Sequence, residues 1–196
     1  MKLMQNVIYV EIVNRLRIQK NIILDMALIL LGSTFVAICS QVAYYLPFSP
    51  IPITGQTFAV LLTGAVLGSK RGGLSLSLYV IEGILGLPVF AGGTSGIAVL
   101  FGPTFGYLIG FILAGILVGL LAERGFDRHW HTMFFAFLVG QVVIYIFGVW
   151  RLLMFVGIER VFELGITPFL IGDFIKAGLA LTILPSAWGL INKWKI

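Results

Sequence analysis

The chain has 196 residues, of which 59% are hydrophobic and 11% charged, with a formal net charge of +5. Its mean hydropathy is +1.06, whereas ordinary soluble domains are roughly 45–50% apolar and about 25% charged; so few charges cannot cover a soluble surface, and the chain reads as membrane-embedded. Its single cysteine, Cys39, excludes a disulfide framework and a thiolate metal site.

Residues 1–20 include Glu11, Asn14, Arg15, Arg17 and Lys20, with no small-residue cleavage site after a short apolar core. They read as a retained interfacial extension preceding a membrane domain over 21–196. A helix crossing the hydrocarbon core needs about 20 apolar residues, and segments near that size follow in order. The first runs from about Ile22 to Leu46 and stops at Pro47, Pro50 and Pro52, because proline ends a helix. The second, Gln56 to Gly68, and the third, Leu74 to Leu87, are short and flank Lys70 and Arg71. Read as one block they would strand both cations at the bilayer centre at roughly 2.5–3.5 kcal/mol each, so a turn at the interface is expected there. The fourth runs from Phe101 to Leu121, the fifth from Thr132 to Trp150 after the charged stretch Glu123 to His131, and the sixth from Pro168 to Ile191.

The expected fold is therefore an all-α six-helix transmembrane bundle with both termini on one side. Lys2, Arg15, Arg17, Lys20, Lys70, Arg71, Arg124, Arg128, Lys193 and Lys195 collect on that side, against Arg151 and Arg160 opposite. The positive-inside rule makes the termini cytoplasmic, and the net charge requires no nucleic-acid partner. The loops at Pro47, Pro88 and Arg151 to Thr167 then face outward.

Within the sixth segment Asp173 and Lys176 stand at i and i+3, on one helix face. Lys176 is eight residues past Pro168, or about 12 Å below the outer end. Charges are costly inside a membrane, so the pair marks a functional site by default; its plainer reading is a self-neutralising structural ion pair. As a site, the carboxylate would accept N–H donors and the ammonium would donate to carbonyl or carboxylate oxygens. Glu82, near the same face, is equally compatible with an interfacial role and a ligand role. The loops Ser49 to Thr57 and Leu87 to Thr104 contain no charged residue and are rich in Gly, Pro, Ser and Thr. They can bend into a cavity or simply form tight turns. Gly106, Gly110, Gly115 and Gly119 form two small-xxx-small repeats that favour close helix packing, and Ser33 and Ala37 form a weaker one. Gln141 and Tyr145, at i and i+4, face either a common cavity or a neighbouring helix. His129, Trp130 and His131 read as an interfacial anchor. There is no P-loop, G-x-S-x-G elbow or H-E-x-x-H motif in the sequence, which argues against an enzyme, a metal centre and any direct use of ATP.

Taken together, Ile53-Thr54-Gly55-Gln56-Thr57, Gly86-Leu87-Pro88-Val89-Phe90-Ala91-Gly92-Gly93, Gly102-Pro103-Thr104-Phe105-Gly106-Tyr107-Leu108 and Pro168-Phe169-Leu170-Ile171-Gly172-Asp173-Phe174-Ile175-Lys176 resemble the BioY family of biotin-binding substrate components of energy-coupling factor transporters. The resemblance runs from about Pro50 to Ala177. It implies an integral cell-membrane protein that binds biotin from outside and needs no further cofactor. Its partners would be a transmembrane coupling subunit and ATPase subunits. The resemblance also maps the family's acid and base onto Asp173 and Lys176. We further expect Thr54, Gln56, Gly92, Gly93 and Tyr145 at the ligand, and Ser33 and Ala37 at the coupling subunit. Competing readings are a solitary proton-coupled solute transporter, with Asp173 or Glu82 as the proton carrier, and a non-transport membrane assembly protein.

Overall fold

The computed structural model describes residues 7–193, so Lys2 and Lys195 of the basic cluster lie outside the described residues. Helices dominate: α1 (Ile8–Arg15), α2 (Ile22–Ser40), α3 (Gln56–Ile84), α4 (Phe105–Ala122), α5 (Trp130–Val156), α6 (Val161–Gly165) and α7 (Leu170–Lys193). Among the described residues four helical stretches are long and apolar enough to cross a membrane: Ile22–Ser40, Phe105–Ala122, Trp130–Val156 and Val161–Lys193. The protein is an all-helical membrane protein apart from a two-residue antiparallel pairing of β1 (Ala43–Tyr44) with β2 (Ile53–Thr54), in which Ala43 faces Thr54.

α2 starts where the Asn21 side chain accepts from the Leu24 N–H at 2.9 Å, a side-chain cap for an otherwise orphan donor. It ends at Ser40, earlier than Leu46, because the chain turns there into β1.

α3 folds back on itself at Gly68. That residue has φ +77° and ψ 177°, a backbone conformation that glycine adopts without a Cβ penalty. Gln56 Nε2 donates to the Tyr79 hydroxyl at 2.6 Å, although a straight helix would separate the two by about 34 Å. The arms 56–67 and 69–84 therefore lie side by side. Each is only about 18–24 Å long, against a hydrocarbon core of about 30 Å. The turn falls one residue before Ser69, not across 69–73 as the charges suggested. The reason is a cap supplied by another helix: Glu123 Oε1 accepts from both the N–H and the hydroxyl of Ser69 at 2.8 Å. Arg71 pairs with Asp25 at 2.7 Å and also donates to the Tyr9 hydroxyl. This end of the bundle is also where α1 packs, burying Ile8, Tyr9 and Val13.

α4 is the central rod, and its two glycine repeats face different neighbours. A Cβ on Gly110 would meet the Ile144 Cα at 2.9 Å, and one on Gly119 would meet the Ser69 N at 2.4 Å. The first repeat thus admits α5 and the second the turn of α3, both at backbone distance. α5 continues past Trp150 to Val156, so Arg151 stands on a helix instead of in a loop. The remaining connection contains α6 and a helical turn with Pro168 before α7.

Candidate functional site

At the end of the bundle away from Gly68, a cavity of about 400 Å³ is enclosed by the first arm of α3, α4, α5, α7 and the loops around Pro50, Phe90 and Pro103. That volume is in the range of roughly 300–1,000 Å³ typical of small-molecule sites. Tyr107, Phe111, Ile144, Phe90 and Phe169 supply apolar wall, while Thr57, Gln141, Tyr145, Asp173 and Lys176 form one bonded polar side.

That polar side is centred on Asp173. Gln141 Nε2 donates to its Oδ2 at 2.8 Å, and the Tyr145 hydroxyl donates to the same oxygen. Lys176 Nζ lies 3.2 Å from Oδ1 and donates to the Thr57 hydroxyl at 2.8 Å, while Thr57 makes a long 3.5 Å contact to Oδ1. The Lys176 and Asp173 side chains are only 17% and 12% exposed. The pair therefore sits in low dielectric, where a charge must be paired and fully hydrogen-bonded to be tolerated. Behind it an almost wholly apolar cavity of about 220 Å³ lies between α3, α5 and α7, sharing Thr57, Gln141, Tyr145, Asp173 and Lys176 with the first. The polar cluster is a partition between the two.

Thr54 and Gln56 line the larger cavity with Tyr145, Asp173 and Lys176. Their orientations are tied together: Thr54 donates to Gln56 Oε1 at 2.9 Å, and the Gln56 amide donates to the buried Tyr79. Gly92 and Gly93 belong to the overlying loop, but its lining residues are Ala91 and Thr94. Gly92 has φ +64°, and a Cβ there would meet the Tyr45 hydroxyl oxygen at 2.2 Å; that hydroxyl donates to the Ala91 carbonyl at 3.0 Å. The glycine thus allows Tyr45 to fasten the loop, without touching the cavity itself. On the other side, Arg151 donates to the carbonyls of Leu100 and Gly102 at 3.2 and 3.3 Å, holding a second lining loop.

Gln141, expected to face either a cavity or a neighbouring helix, and Thr57, which carries no individual expectation from the sequence, each bond directly to the ion pair. The i, i+4 spacing of Gln141 and Tyr145 was the available signal, while nothing local distinguished Thr57 from Thr54. Glu82 lines neither cavity and accepts a hydrogen bond from Ser33. Ser33 is fully buried, and Ala37 on the same helix is half-buried. Among the described residues no cluster of His, Cys, Asp or Glu could hold a metal.

Known proteins share this sequence and architecture. A BioY family profile matches residues 11–193. The "Probable biotin transporter BioY" of Pyrococcus horikoshii is 40% identical over 154 residues, covering 78% of this chain and 91% of that protein. The "Biotin transporter BioY" of Thermotoga maritima is 42% identical, covering 70% and 81% respectively. A crystal structure of the S-component for biotin from an ECF-type ABC transporter superposes with a TM-score of 0.74 at 25% identity, covering 84% of this chain and 90% of that one. These relatives are named as transporters and a transporter component, not enzymes. The profile spans nearly the whole described chain and the two transporter sequences are 40% and 42% identical over most of their length, so this chain belongs to the BioY family.

Proposed function

We propose that this chain is the biotin-binding substrate component of an ECF-type vitamin uptake transporter. It would capture biotin from the outer side for import driven by separate ATPase subunits through a transmembrane coupling subunit. The observation that carries the reading is the bonded Asp173–Lys176 pair forming one wall of an otherwise apolar cavity.

Biotin offers two ureido N–H donors and a carbonyl, an apolar thioether ring and a carboxylate-ended chain. Asp173 Oδ1 keeps acceptor capacity beside Lys176, because its Thr57 contact is long at 3.5 Å, and it receives ureido N–H. Lys176 spends two of its three donors on Thr57 and Asp173, leaving the third for a biotin oxygen. Tyr145, Thr54 and Gln56 complete the polar wall, the aromatic side chains pack the ring, and the loop bearing Gly92 and Gly93 closes the mouth. Counting the arms of α3 separately gives six membrane crossings with both termini cytoplasmic, by the distribution of basic residues. Residues 1–20 then form an extension at the cytoplasmic interface, and Ser33 and Ala37 are the first-span candidates for contact with the coupling subunit.

Calorimetric titration of the purified full chain with biotin tests the proposal. Saturable one-to-one binding at micromolar protein or below is expected. Absence of heat and of ligand-induced thermal stabilisation, in protein that unfolds cooperatively, overturns it. Reconstituted vesicles address the energy source: biotin accumulation on a pH gradient with this chain alone would refute the need for ATPase partners.

A further inference from the structure

α7 carries Asp173 and Lys176 but rests on the bundle along one narrow stripe. Ala180, Leu184, Trp188 and Ile191 are its buried residues, whereas Ile171, Phe174, Ile175, Leu179, Ile183 and Leu190 are exposed. A helix seated on so thin a stripe is weakly held in rotation, and each residue of slip turns it by about 100°. The polar network secures the ligand end. At the opposite end the seven-residue connection 123–129 between α4 and α5 grips a single indole.

Asp127 Oδ2 accepts the Trp188 indole N–H at 2.7 Å, and the Arg128 guanidinium carbon lies 4.6 Å from the centroid of the same ring. Two consecutive residues thus hold the edge and the face of one side chain. Asp127 has no solvent exposure and Trp188 only 5%. Burying a carboxylate is costly unless it is bonded, and here its directional partner is the indole. Pro185 lies one turn earlier in α7, where it removes a backbone hydrogen bond; the indole contact therefore holds the segment beyond a weakened turn.

We propose that Asp127, Arg128 and Trp188 form a positioning clamp that sets the rotation of α7 and so the aim of Asp173 and Lys176, about 18–23 Å along the helix from the indole. The clamp touches no ligand and acts through the helix. The inference rests on the biotin-binding reading above, and its consequence is that the far end of the bundle is linked to ligand affinity.

Three variants of the full chain test it. D127A removes the acceptor, W188F removes the donor but keeps the ring, and D127N keeps an acceptor for the indole. Biotin Kd is expected to weaken on the order of tenfold in D127A and W188F, the loss of a charge-assisted bond, and to stay within about threefold in D127N. A second readout needs no ligand: acylation of Lys176 by a water-soluble amine reagent, located by mass spectrometry, should accelerate in D127A and W188F but not in D127N. Unchanged biotin affinity or unchanged Lys176 reactivity in folded D127A and W188F overturns the clamp. Equal loss in D127N overturns it too, since an acceptor alone would then not suffice. If the native chain binds no biotin while Lys176 reactivity responds as expected, the ligand assignment fails and the clamp stands.

Discussion

Asp173→Asn is the sharpest perturbation of the site because every group that bonds Asp173 is a donor: the Gln141 amide, the Tyr145 and Thr57 hydroxyls and the Lys176 ammonium. An asparagine NH₂ must therefore point at a donor in either flip, while the side-chain volume is unchanged. At least one charge-assisted bond is lost and Lys176 is left as a nearly buried cation with only neutral acceptors, the Thr57 hydroxyl and, in one flip, the asparagine carbonyl. Hydrogen bonds to charged groups contribute about 1.5–3 kcal/mol each, and breaking a buried pair costs about 3–5 kcal/mol. Rotation of the Tyr145 hydroxyl and a flip of the Gln141 amide recover part of this. About 3 kcal/mol remains, which corresponds to on the order of a hundredfold in Kd. Titration calorimetry with biotin on the purified variant, alongside its thermal unfolding, measures the effect. Affinity within threefold of the parent, in protein with an unchanged melting temperature, would refute the argument that this carboxylate organises the site.

Three further perturbations follow from particular contacts. Gly92→Ala introduces a Cβ at φ +64° that meets Tyr45; ligand dissociation should accelerate by about tenfold while the strain costs about 1–2 kcal/mol, both readable by stopped-flow displacement and thermal unfolding. Arg151→Gln releases the Leu100 and Gly102 carbonyls, and faster proteolysis within 97–102, together with weaker biotin binding, is the expected signature. Burial pushes the Asp127 carboxyl up to about 6 from its ordinary 3.8, against the lowering effects of the Trp188 bond and Arg128. Folding therefore favours its protonated form: that stabilisation is full below about pH 4 and is lost as pH rises through about 6. Lowering the pH from 7 to 5 should stabilise the parent relative to Asp127→Asn by about 1 kcal/mol, and equal pH dependence of the two melting temperatures would contradict it.

By itself the sequence determined the membrane setting, the approximate positions of the long apolar helices and the placement of Asp173 and Lys176 as a pair on one helix face. These follow from local quantities: the length of an apolar run, the cost of a charge within it, and the i, i+3 spacing that puts two side chains on one face. The motif from Ile53 to Thr57 likewise led to Thr54 and Gln56, which the fold brings to the cavity. Other features depended on groups far apart in the chain. The turn of α3 falls at Gly68 because Glu123, from the end of α4, caps Ser69, and no local pattern around Lys70 and Arg71 contains that acceptor. Ser33 is hidden because Glu82 lies opposite it on another helix. Thr57 and Gln141 join the ion pair only once the arms of α3 close against α5 and α7. Apolar periodicity determines that a helix forms and roughly where it stops, whereas the direction in which a polar side chain finds its partner is decided by packing between helices, which only the tertiary structure contains.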